Sequence, residues 1–284
     1  MRWTVVEYSK EQKARLEFLL QAFKEDSGQY RDLEVEGDDR KKRMLLRSLM
    51  NIRMPGNMDE KVLQVQNDFL SEEAREKGIV GLEDIPTAAE QYGSSHPFAD
   101  TISIWQGDIT RLQAGAIVNA ANSQMLGCFV PCHGCIDNAI HSAAGIQLRE
   151  ECSRYMNHMR AQYGFGYEEP TGQAVLTEGY NLPSRYVIHT VGPIVGGRLN
   201  ASLRNDLRNC YRSVLECCLD HQIRSIAFCC ISTGEFHFPN DEAAKIAVET
   251  VTGFLKEHDS TFDRVIFNVF KNVDKEIYES LLEL

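Results

Sequence analysis

No stretch of 18 successive apolar residues occurs in this chain, so hydropathy offers no membrane-spanning helix. A basic excess is equally missing: 41 Asp and Glu against 30 Lys and Arg leave a net charge of −11. A general nucleic-acid binder neutralises phosphates with Lys and Arg, so this balance excludes that class, and any phosphate must be met by local groups. The opening segment, MRWTVVEYSKEQ, has neither the apolar stretch nor the small-residue cleavage site of a secretory signal, and a cytoplasmic location is expected. A disulfide framework is also absent. The nine cysteines are an odd count, four of them stand as the neighbours Cys217–Cys218 and Cys229–Cys230, and no secretory context supports pairing. Buried thiols and metal ligands are expected instead.

What is present is enough apolar composition, 43% of 284 residues, for one large domain with an appendage, expected to be a monomer. Residues 1–85 read as a small, charged helical appendage. Leu16, Leu19, Leu20 and Phe23 form one apolar helical face, and Val62, Val65, Phe69 and Leu70 form another. Between them RDLEVEGDDRKKR reads as a solvated connection or a helix start. The Pro, Gly and Ser of EDIPTAAEQYGSSHPF mark the passage into a second unit, 86–284. There TISIWQ, AIVNAA, AVLTEG, YVIHTV, SIAFCCIS and VIFNVF read as strands, alternating with helical spacing over 136–151, 201–221 and 240–257. Such alternation predicts a mostly parallel sheet between helices, with ligands at the carboxyl ends of the strands.

The loops after those strands therefore carry the chemistry. Asp108 follows the first strand and Asn122 the second; Asp108 suits an exocyclic amine, yet it reads equally as a turn cap, and Asn119 and Asn122 as turn formers. Ser232, Thr233, Gly234, Glu235 and Phe236 lead into a helix, and small residues there let backbone N–H groups approach a diphosphate. Glu235 opposes a phosphate unless its side chain turns outward. His189 and His141 read as structural, and His237 has no assigned role.

Taken together, GDIT at 107–110, IVNAAN at 117–122, CIDNAIHSAAG at 135–145, HTVGP at 189–193 and ISTGEFHFP at 231–239 closely resemble the macrodomain family. The resemblance implies a three-layer α/β/α sandwich that binds ADP-ribose. By it, Asp108 holds the adenine amino group, Ile109 lines that pocket, Asn122 faces the distal ribose, and Ser232, Thr233, Gly234, Glu235 and Phe236 wrap the diphosphate and that ribose.

One loop departs from the glycine-rich stretch that many macrodomains have before the helix at Ile136. Here it reads Gly127-Cys128-Phe129-Val130-Pro131-Cys132-His133-Gly134-Cys135. Three cysteines and a histidine this close are metal-ligand chemistry, and the soft donor set suits zinc. The spacing resembles the zinc-containing branch of the family, which implies one Zn²⁺ per chain on Cys128, His133 and Cys135, with Cys132 left out. Three protein ligands leave a zinc open to substrate, whereas a fourth would close it into a structural site. Asp137, at the start of the helix, reads as a helix N-terminal carboxylate or as a proton acceptor beside the metal. Macrodomain hydrolases often have an aspartate there, so Asp137 and Asn122 are the expected catalytic pair. The expected activity is zinc-dependent removal of mono-ADP-ribose from modified proteins, with an ester link to an acidic side chain. An ADP-ribose-binding module with structural zinc and an O-acyl-ADP-ribose esterase are the alternatives.

Overall fold

The computed structural model describes residues 8–258 and 260–282; residues 1–7 of the opening segment lie outside them. Three helices come first: α1 (Lys10–Ser27), α2 (Asp39–Ile52) and α3 (Glu60–Glu76). Each begins on a side-chain cap, Ser9, Asp38 and Asp59, whose oxygen accepts a first-turn N–H. Their apolar faces meet in a core of their own, built on Leu16, Leu20, Phe23, Leu46, Leu49 and Phe69. Of the two readings of the charge run, a connection or a helix start, both hold: residues 31–38 connect, and the run ends in the first turn of α2, which starts at Asp39.

The chain then passes through the short α4 (Ala88–Tyr92) into β1 (Ile102–Gln106) and β2 (Ala116–Ala121). Next come α5 (Ile136–Ala144), α6 (Ile146–Tyr163), β3 (Ala174–Glu178) and β4 (Tyr186–Val191). Finally come α7 (Ala201–Asp220), β5 (Ser225–Phe228), α8 (Asn240–Glu257), β6 (Arg264–Val269) and α9 (Asn272–Leu281). The strands form one sheet in the order β1-β6-β5-β2-β4-β3. All neighbours are parallel except β3 against β4. Helices cover both faces: α5 and α6 pack on β2 and β3, while α7, α8 and α9 lie side by side on the other. The expected macrodomain-type α/β/α sandwich is the observed fold. No described helix is long and apolar enough to cross a membrane.

Two details differ from the sequence reading. The apolar spacing over 136–151 continues without a gap, yet the helix breaks at Gly145, which takes φ 96°. A Cβ there would sit 2.8 Å from the Gln66 amide of α3, and Gln66 Oε1 accepts the Ile146 N–H at 3.2 Å. The N-terminal unit thus caps the second helix, and only glycine admits it. The strand SIAFCCIS also ends early, at Phe228, and the chain turns through Ser232 at φ 65°.

Candidate active site

β2 lies at the middle of the sheet between β4 and β5, so its carboxyl end opens where the strand connections diverge. Asn119, inside β2 and fully buried, donates from Nδ2 to Asp137 Oδ1 at 2.8 Å and to His189 Nδ1 at 3.0 Å. Accepting at Nδ1, His189 carries its proton on Nε2 and donates to Thr177 Oγ1 at 2.9 Å. Burial lowers the His189 pKa to about 3, so the ring is neutral. Asn122 donates to Asp137 Oδ2 at 3.3 Å and to the Gly127 carbonyl at 3.3 Å, while its own Oδ1 accepts the Gln124 N–H. The turn-forming and the ribose-side readings of Asn122 are therefore compatible. Burial pushes the Asp137 pKa up to about 6, against the pull of Asn119, Arg149 and Asn122. Asp137 is thus a carboxylate with an aligned orientation and a basicity near neutral pH.

The loop between β2 and α5 brings Cys128, His133 and Cys135 together, with one donor atom of each within 4.8 Å of the others. Cys128 Sγ lies 3.7 Å from His133 Nδ1. Two such ligands on a tetrahedral zinc stand about 3.6 Å apart, from bonds of about 2.3 and 2.05 Å. The other ring nitrogen, Nε2, lies 3.6 Å from Glu235 Oε1, the placement of a carboxylate that orients a ligating histidine. The donor set therefore fits zinc. Cys132 is different: at φ 52° its thiol turns to α2, 3.3 Å from Ser48 Oγ and 3.4 Å from the Met44 carbonyl. The loop enters through Gly127 at φ 77°, where a Cβ would strike the His141 ring at 2.8 Å.

After β5, residues 230–239 fold back on themselves. Thr233 bonds Cys230 O, His237 N–H bonds Gly234 O, and Phe238 N–H bonds Ser232 O. Among the described residues, nothing accepts the successive N–H groups of Gly234, Glu235 and Phe236, which leaves these amides available to an anion. Ser232 Oγ is also buried without a partner. The Glu235 side chain is 70% exposed and turned to His133, so its charge stands off the loop's amides.

At the far end, Asp108 caps a single turn, accepting Thr110 N–H at 3.1 Å and Thr110 Oγ1–H at 2.7 Å, and Ile109 is buried beneath it. The Gly107 N–H bonds Val269 O, which brings this loop beside Phe270, 53% exposed at the end of β6. The ends of β1, β6, β5 and β2 thus form one row. Three interstrand steps of about 4.8 Å place Asp108 about 14 Å from the Asn122 loop.

Sequence reasoning missed several residues that hold this site. Asn119 reads as a turn former, yet it is an inward strand residue; a lone Asn in an apolar strand was the available signal. Arg149, from α6, donates to the carbonyls of Leu126 at 2.6 Å and, at the end of α2, of Met50, Asn51 and Arg53. Its guanidinium also lies 4.2 Å from the Phe129 ring centre, and burial lowers its pKa to about 10. No local pattern marks it, because all its partners are distant in sequence. His141 and His189 are buried, as expected of structural histidines.

The Macro domain family matches residues 118–247. A protein-ADP-ribose hydrolase from Treponema medium is 42% identical over 272 residues, covering 95% of this chain and 99% of the relative. A protein-ADP-ribose hydrolase from Staphylococcus aureus (strain Mu50 / ATCC 700699) is 40% identical over 279 residues, covering 98% of each. The crystal structure of a Trypanosoma brucei macrodomain in complex with ADP-ribose superposes with a TM-score of 0.62 and 31% identity, covering 87% of this chain and 96% of that one.

Proposed function

The chain belongs to the macrodomain family, and from that membership we propose that it is a hydrolase that releases ADP-ribose from modified proteins. The observation that carries this reading is the row of strand ends. An amine acceptor at Asp108, a run of available amides at 234–236 and a buried carboxylate at Asp137 follow in the order adenine, diphosphate and distal ribose. The row's length of about 14 Å suits an extended dinucleotide-like ligand. Relatives that share nearly the whole chain are named protein-ADP-ribose hydrolases, which supports an enzyme over a binding module.

The finer assignments continue the same reading. Asp108 accepts from the adenine amino group, Ile109 packs against the base, and Phe270 offers its exposed ring on the other side. Ser232, Thr233, Gly234, Glu235 and Phe236 surround the diphosphate. Asn122 and Asp137 meet the distal ribose. Held by Asn119 and Asn122, Asp137 takes a proton from the attacking water or fixes a ribose hydroxyl; a base with a pKa near the working pH does either well. Cys128, His133 and Cys135 would hold one Zn²⁺, and the metal would supply Lewis acidity there. The preferred bond is the ester to an acidic side chain, because its carboxylate leaves readily without a strong general acid.

The test compares release of ADP-ribose from proteins modified on Glu or Asp with release from proteins modified on Arg, before and after chelation and zinc restoration. Fast, zinc-dependent release from the acidic linkage is expected. Full activity of metal-free protein would remove the zinc assignment, and tight ADP-ribose binding without turnover on any linkage would make the chain a binding module.

A further inference from the structure

Beside its apolar face, α2 meets the metal loop and the start of α5 through polar contacts, two of them fully buried. Arg47 donates from Nε to Asn138 Oδ1 at 3.0 Å and from Nη2 to the His133 carbonyl at 3.3 Å. Asn138, from the first turn of α5, passes this on: its Nδ2 donates to the carbonyls of Val130 at 2.9 Å and Cys128 at 3.4 Å, and its N–H bonds Cys135 Sγ. Asn51 accepts the Cys132 N–H at 2.9 Å, and its Nδ2 donates to Ser142 Oγ at 3.0 Å. Cys132 is the loop residue held in the left-handed region, which a cysteine rarely adopts without support. Arg47, Asn51 and Asn138 are all nine-tenths buried or more.

We propose that α2 is a strap that keeps the Cys128–Cys135 loop in its metal-binding shape, with Arg47 and Asn51 as positioning residues. The inference rests on the zinc reading above and extends it to a unit outside the sandwich. A loop that supplies all its ligands from eight residues must otherwise be ordered by the metal, and that ordering weakens affinity. Here the ordering is done beforehand. Arg47 fixes Asn138 and the backbone of one ligand, while Asn51 fixes the turn that points Cys132 away and leaves Cys128, His133 and Cys135 converging. Linkage makes the effect mutual: whatever α2 adds to zinc affinity, zinc adds to the docking of α2.

The experiment uses the full chain as wild type, Arg47→Ala and Asn51→Ala. It measures the zinc dissociation constant by competition with a chromophoric chelator, the Tm of metal-free and zinc-loaded protein, and kcat and KM at limiting and excess zinc. Both variants are expected to bind zinc about 10–100-fold more weakly, the usual effect of removing groups that orient ligands. Their zinc-induced rise in Tm should shrink, and excess zinc should restore kcat with KM unchanged. An unchanged zinc constant, with metal-free and loaded Tm falling in parallel, would show α2 to be scaffolding alone and overturn the inference. Should Arg47→Ala fail to fold, Asn51→Ala, which removes one uncharged amide, decides alone. A wild type that takes up no zinc would overturn the zinc reading and this inference with it; a wild type that binds zinc while both variants match it overturns only the strap.

Discussion

Replacing Asp137 by Asn tests the site with the least change of shape. Two opposed effects act on stability. Asn119 and Asn122 each donate to one Asp137 oxygen, at 2.8 and 3.3 Å, and an amide has only one oxygen to offer. One donor then faces an NH₂ group, which costs about 1–3 kcal/mol for a buried unsatisfied pair. Against this, burial raises the Asp137 pKa from 3.8 to about 6, so the wild-type anion is penalised at neutral pH. At about 1.36 kcal/mol per unit that penalty is about 3 kcal/mol, and the neutral amide escapes it. The terms nearly cancel, and Tm should stay within a few degrees of wild type. Activity has no such compensation. Loss of a positioned base lowers kcat by about 10²–10⁴-fold, equivalent to about 2.7–5.5 kcal/mol of barrier. ADP-ribose affinity should fall only a few-fold, since the Asp108 pocket and the 234–236 amides are untouched and the amide at 137 can still hydrogen-bond the distal ribose. The assay pairs single-turnover release of ADP-ribose with calorimetric ADP-ribose binding and zinc content. A kcat within about tenfold of wild type at equal zinc content would refute the assignment of Asp137 as base.

Other outcomes follow from the same geometry. Asp108→Ala should weaken ADP-ribose binding by about 1.5–3 kcal/mol, read by calorimetry; its lost turn cap, worth about 1 kcal/mol of stability, is separated by a Tm measurement. Cys135→Ala should lose zinc and hydrolysis together, whereas Cys132→Ser should keep both, because that thiol faces the Met44 carbonyl. In the N-terminal core, burial opposes the Glu73 charge, but Arg43 at 2.7 Å, Lys77 at 2.9 Å and the Tyr8 hydroxyl hold its carboxyl well below the usual range. A depressed carboxylate stabilises above its unfolded value of about 4.3 and loses that stability as pH falls below it. The acid unfolding curve should therefore flatten in Glu73→Gln, which at pH 7 is itself less stable by about 3–5 kcal/mol. A variant as steep as wild type below pH 5 would assign acid unfolding to other groups.

The sandwich was legible because strand and helix periods alternate cleanly beyond residue 100, and because the site loops follow strands. The cysteine loop was legible because its donors lie close in sequence. What stayed hidden depends on separation. Arg47 and Asn138 stand 91 positions apart, and nothing in the α2 pattern tells that Arg47 turns inward to the loop. The break at Gly145 was invisible for a similar reason: the apolar spacing runs on through it, and its cause is Gln66, a residue of another helix. Asn119 was misread because a propensity for turns is weaker than its place in a central strand.

The strand order also sets when each end of the crevice is made. β2 finds β4 and β5 as neighbours, while β1 has β6 alone, Ile102 lying against Val265. During synthesis the carboxylate and cysteine end can assemble on strands already present, but β1, which leads into the loop of Asp108, has no strand partner until residues 264–269 arrive. Pairing across so long an interval is a slow step in folding. Pulse-labelled hydrogen exchange during refolding should accordingly see Val118 protected before Ile104.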